Sequence, residues 1–143
     1  MRRYQCDPQY IEALGYAVFN FAILEYSIAN IIERLRRGYV WEYISQEKPA
    51  GRVAKDFAQA IEQAKGHAAE AELTAICHTF DALKNRRNKL LHANPLTGPG
   101  GAPALRHQAR DILWDLNTVR QAATDFAAAA AKAGSLLHGA LRA

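Results

Sequence analysis

Arg87-Asn88-Lys89-Leu90-Leu91-His92 sets a permanent cation and a titratable imidazole five residues apart near the end of a helical stretch. A guanidinium offers a planar fork of donors to phosphate oxygens, and an imidazole gives or takes a proton near neutral pH. Together they suit a phosphodiester. RNA carries its own nucleophile, so cleavage needs only three things: removal of the 2′-hydroxyl proton, stabilisation of the crowded phosphorane, and protonation of the leaving oxygen. In this reading His92 is the general acid or base and Arg87 holds the phosphate and its developing charge. Asn88 donates a hydrogen bond that orients the phosphate or the imidazole. This chemistry requires neither metal nor cofactor.

Geometry constrains that assignment. Positions five apart on a straight helix differ by about 140°, so Arg87 and His92 converge only if the helix ends or distorts near His92. Asn94-Pro95 supplies such an ending, because the residue before proline avoids the helical region. Lys84, Asn88 and His92 are four apart and form a polar stripe along which RNA can lie. Lys84, Arg86 and Lys89 are the expected phosphate contacts, giving affinity without sequence preference.

Plainer readings stand beside these. Arg and His near a helix C-terminus also suit the dipole and free carbonyls there, and the three basic residues can be an ordinary solvated face. Arg87 falls on an otherwise apolar seam, where a cation needs a partner. Glu25, the acid within Phe21-Ala22-Ile23-Leu24-Glu25-Tyr26, is expected to pair with or orient it. The same pair can equally be purely structural.

The elements that position these groups read as helices. Asp7-Pro8 is a strong start signal. Leu14, Val18, Phe21, Glu25, Ile28, Ile32 and Leu35 then follow a four-three rhythm to Gly38. Tyr39 to Gly51, with Tyr39, Trp41 and Tyr43, reads as a connection holding at most a short helical turn, whose aromatics can cover the core. A shorter helix bearing Val53, Phe57 and Ile61 runs to about Gly66. The next, from about His67 to Ala93, carries Leu73, Ile76, Phe80, Leu83, Arg87 and Leu90. The Gly/Pro-rich stretch from about residue 94 to 104 is expected to be a mobile surface loop. A last helix from about Ala104 carries Leu105, Ala109, Ile112, Leu116, Val119, Ala123, Phe126 and Ala130. The expected fold is all-α, an antiparallel bundle of about four helices in a single domain spanning residues 1–143.

Arg-Asn-x-x-x-His within such a layout resembles the signature of the HEPN superfamily, compact helical domains many of which are metal-independent endoribonucleases of toxin-antitoxin and phage-defence systems. The resemblance implies a homodimer in which Arg and His of two chains line one cleft, and an antitoxin or other regulatory protein as a further partner. Some HEPN toxins carry a tyrosine two residues beyond the histidine, where a partner enzyme modifies it. This chain has Asn94 there, which argues against that arrangement. Other members of the superfamily only bind partners or nucleotides. A non-catalytic module that binds RNA, a nucleotide or a protein through the same cleft is therefore the second expectation, and a purely structural bundle the third.

Composition agrees with a soluble helical protein. The chain has 143 residues, half of them hydrophobic, and a net charge of +4, a modest excess that suits a polyanionic partner such as RNA. Cys6 and Cys77 lack metal-ligand or disulfide spacing, and His67, His78, His107 and His138 are read as surface or capping residues rather than metal ligands. Met1-Arg2-Arg3 leads into polar residues, and no uninterrupted apolar run reaches membrane-spanning length. The expected location is the cytoplasm, with no membrane association.

Overall fold

A computed structural model describes residues 7–107 and 112–142; Met1-Arg2-Arg3, Cys6 and Ala109 lie outside the described residues. The first helix, α1 (Pro8–Leu35), starts where expected. The Asp7 carboxylate accepts from the Gln9 and Tyr10 amides at 2.8 and 3.4 Å, and Pro8 occupies the first turn, where its missing N–H costs nothing. After Gly38, in the left-handed region at φ 96°, come α2 (Tyr39–Ser45) and α3 (Ala50–Gln63). The next helix is α4 (Glu70–Leu91).

The all-α expectation is corrected between α4 and the last helix. Residues read as a loop form β1 (Asn94–Thr97) and, after a 3₁₀ turn at Pro99–Gly101, β2 (Pro103–His107). With β3 (Ile112–Trp114) they make a three-stranded antiparallel meander in the order β1-β2-β3. Gly100 and Gly101, at φ 70° and 79°, supply the left-handed turn that joins β1 to β2. The prolines sit where strands tolerate them, Pro95 on an edge strand and Pro103 at a strand start. The last helix, α5 (Leu116–His138), therefore begins later than the expected Ala104, capped by Asp115, whose carboxylate accepts from the Thr118 amide at 2.8 Å. Leu105 and Ile112, read as the start of that helix, lie on strands and pack against the core. Among the described residues the protein is mostly helical, with five α-helices and a small sheet.

α1 packs along α5, with α3 against α1 and α4. Leu24, Ile28, Ile31, Ile32, Phe57, Leu73, Phe80 and Phe126 are fully buried between them, each such side chain contributing about 1.5–3 kcal/mol. The seam of α1 differs from the expected one. Ala13, Ala17, Phe21, Leu24, Ile28 and Ile31 face the core, while Val18 is 53% exposed and Glu25 half-buried. α1 is apolar on nearly every face, so its rhythm admits more than one seam. By length and composition it could cross a membrane, although its inward face is packed as in a core helix; a soluble fold is compatible with this arrangement.

The small sheet is fastened to α1 and to the core. Trp114 is 2% exposed, and the buried Tyr10 hydroxyl donates to its carbonyl at 2.6 Å. Burial pushes the Tyr10 phenol up to about 12.

A buried polar network ties α2 to α3. Lys48 donates to Asp56 at 2.9 Å and to Glu42 at 2.6 Å, and the Tyr39 hydroxyl donates to Asp56 at 2.8 Å. Burial alone would raise the Asp56 carboxyl, but hydrogen bonds from Lys48 and Tyr39, with the nearby cations of Lys48 and Arg52, outweigh it and hold the group below the usual carboxylate range. A carboxyl with a lowered folded pKa stabilises the fold above its unfolded value of about 3.9, and that contribution disappears as pH falls through the folded value. Asp56→Asn is expected to cost about 3 kcal/mol at pH 7 because it leaves Lys48 buried beside a weaker partner. In urea unfolding, the gap between this variant and the parent should narrow below a pH of about 4. A gap that stayed constant into acid would remove Asp56 from the account.

Candidate functional site

The end of α4 presents two different faces. Asn85, Asn88, Lys89 and His92 recur at helical spacing on one of them, and with His107 they line an open polar cleft of about 460 Å³. His92 is the helix C-cap, its amide donating to the Asn88 carbonyl at 3.1 Å. The chain then enters β1, and β2 returns antiparallel to it. Because Asn94 is paired with Arg106, His107 stands one residue beyond the start of β1, level with the chain as it leaves α4. The hairpin thus carries a second imidazole back to the helix end that bears the first.

Arg87 points the other way, into the interface with α1. Its guanidinium lies 4.6 Å from the centre of the Phe21 ring, which in turn stacks on Phe80 at 6.0 Å and meets Phe126 edge-on at 5.2 Å. A cation over a ring face is worth about 0.5–2 kcal/mol, more as it is desolvated. The Arg87 Nε is buried with no hydrogen-bond partner among the described residues. Glu25, Tyr43, Arg87 and Leu91 share a small cavity of about 180 Å³ with Val18, Phe21 and Ala22. The expected Glu25–Arg87 ion pair is not formed. The Glu25 carboxylate instead accepts from the Tyr43 hydroxyl at 2.8 Å. Burial first, and then the neighbouring Glu25 carboxylate, push the phenol well above its ordinary range.

One subunit therefore does not bring Arg87 and His92 together. α4 stays helical through Leu91, so the ending at His92 comes too late to swing the imidazole towards the guanidinium. Of the expected phosphate contacts, Lys89 lines the cleft. Lys84 is held by Asp81 at 2.8 Å with its side chain mostly buried, and Arg86 by Asp125 at 2.7 Å. The Arg86 hydrogen bond keeps the Asp125 carboxyl below its usual range. The polar stripe contains Asn85 where the expected one had Lys84.

His107 is the residue that sequence spacing missed. Its partners are fifteen or more positions away, across a segment read as a loop, and only a hairpin reading with a register could have placed it. His67 acts as a local cap, its Nδ1 accepting from the Ala69 amide at 3.0 Å, and His78 and His138 are exposed. Among the described residues no group of three or more His, Cys, Asp or Glu side chains is arranged to hold a metal ion.

Outside the cleft, α1 exposes a long apolar face. Ile11, Val18 and Tyr26 follow helical spacing with Gly15 and Ala22, and Phe19, at 65% exposure, and Ile23 flank them. Leu91, at 54% exposure, adjoins this face through the Arg87 cavity, and α2 adds exposed Trp41 and Ile44.

No protein-family profile, curated protein or solved structure matches the chain.

Arg87 forms no ion pair among the described residues. Arg87→Met keeps the stem over Phe21 and removes an unpartnered buried donor, so its thermal stability should stay within about 1 kcal/mol of the parent. A loss of about 3 kcal/mol or more, as for breaking a buried pair, would mean that Glu25 and Arg87 are joined after all.

Proposed function

We propose that this protein is a HEPN-type, metal-independent endoribonuclease working as a homodimer. The observation that carries this reading is the cleft at the C-terminal end of α4, where His92 lies with Asn88 and Lys89 in an open space of about 460 Å³, within the ~300–1,000 Å³ typical of small-ligand sites. An imidazole supplies proton transfer, Lys89 a phosphate contact, and Asn88 an orienting donor. The scissile ribose phosphate sits against His92, its 2′-hydroxyl attacks phosphorus, and the products are a 2′,3′-cyclic phosphate and a 5′-hydroxyl.

The exposed face of α1 supports the homodimer. It is an apolar patch with two exposed small residues, Gly15 and Ala22, along its stripe, which leave room for a second copy to approach closely about a two-fold axis. The Arg87 cavity opens beside that face, so a second subunit covering it can bring its own cleft towards this Arg87. In this assembly Arg87 acts across the interface, which accommodates its separation from His92 within one chain.

One observation favours a second reading. Arg87 is seated over Phe21 as part of the interior, as it would be in a non-catalytic HEPN-like module that binds RNA, a nucleotide or a protein partner with His92 in a structural role.

His92→Ala separates the two. With a chelator present, cleavage of a single-stranded RNA should fall by about 10²–10⁴-fold, as for loss of a proton-transfer group, while binding of the same RNA persists. Wild-type protein that leaves the RNA intact would support the binding module instead. Lys89→Ala should weaken RNA binding and reduce its salt dependence by about one ion, whereas Lys84→Ala, at a residue already engaged by Asp81, should change it less. Phe19→Glu should convert a dimer into a monomer in analytical ultracentrifugation; an unchanged sedimentation coefficient would place the interface elsewhere.

A further inference from the structure

We propose that His107 is the second proton-transfer residue of the same cleft, so that a single subunit carries both the acid and the base for cleavage. This rests on the ribonuclease reading of His92 and names the group that completes it. Two observations bear on it: His107 lines the cleft together with His92, Asn88 and Lys89, and the β1–β2 register returns it to the level at which the chain leaves α4. The two imidazoles come from different elements, one at the helix terminus and one in the central strand of the meander, where His107 is paired with Ile112, a residue that packs on the core. Two positioned imidazoles on one phosphodiester suit a substrate that contains its own nucleophile. RNA meets this condition and DNA does not.

The step balances with two histidines alone. A neutral imidazole takes the 2′-hydroxyl proton as the 2′-oxygen forms its bond to phosphorus. The bond from phosphorus to the 5′-oxygen breaks, and that oxygen takes a proton from the other imidazolium. The ribose phosphate leaves as a 2′,3′-cyclic ester with a free 5′-hydroxyl on the other fragment. The two rings have then exchanged protonation states, and proton exchange with water restores them. Lys89 faces the same space and can carry the phosphate charge.

The test uses the full chain with two substrates under chelator. One is a short RNA; the other is uridine 3′-(4-nitrophenyl phosphate), whose leaving group departs without a proton. His107→Ala and His107→Gln are each compared with His92→Ala, and thermal melts establish that each variant is folded. On the RNA, the His107 variants should lose about 10²-fold or more. On the activated ester, the variant lacking the acid should recover most of its rate and the variant lacking the base should not, so the His92 and His107 variants diverge. His107 variants that cleave RNA at the parental rate would overturn the inference while leaving the ribonuclease reading intact. Equal losses on both substrates at both positions would overturn it as well, since a structural role does not distinguish leaving groups. If wild-type protein cleaves neither substrate, the underlying reading fails, and the inference with it.

Discussion

The structure depends on where α4 stops. Its last buried residue is Leu90, and three residues after Leu91 the chain reaches Asn94-Pro95, where proline removes a backbone donor and disfavours the helical region for the preceding residue. The helix must end, and the chain turns at once into an extended strand. Everything chemical at this end follows: His92 becomes the cap, Asn85, Asn88 and Lys89 are fixed below it, and the hairpin that continues the chain returns His107 to the same place. Had the helix continued, there would be neither cleft nor second imidazole.

That ending also divides α4 into two working faces. Arg87 lies over Phe21 in the interior beside α1, and His92 faces the sheet. The separation is the plain geometric result of five helical positions. A nuclease built on this motif therefore needs either a second subunit to supply the missing guanidinium or enough machinery in the cleft to act without it. The exposed apolar face of α1 bears on the first route and His107 on the second.

Much of the helical scaffold was legible in the sequence because its signals are local. Asp7-Pro8 starts α1, the core rhythm of α4 holds from Leu73 to Leu90, and the seam from Leu116 to Ala130 describes α5 correctly. The small sheet was not legible. Its strands are three to five residues long, with Pro95 inside one and Pro103 opening another, and they are anchored by Trp114, Leu105 and Ile112 packing on the core rather than marked by any alternation visible in the chain. The seam of α1 was ambiguous for the opposite reason, an excess of apolar residues. Arg87, Asn88 and His92 could be picked out by type, yet which face each would take depended on whether the helix ended before or after Leu91. Glu25 reads as the acid on the apolar stripe of α1, but its partner is Tyr43, from a stretch that reads as a connection.

In the proposed reaction, the cleft at the end of α4 lets a ribose phosphate be attacked by its own 2′-hydroxyl. The most direct measurement is the phosphorus NMR spectrum of a short RNA incubated with the protein and a chelator. A resonance of a 2′,3′-cyclic phosphate, absent when the scissile ribose is replaced by deoxyribose, is the result this account predicts. Cleavage that yields only linear monophosphates from the outset, or cleavage of the deoxyribose analogue at the same rate, would contradict it.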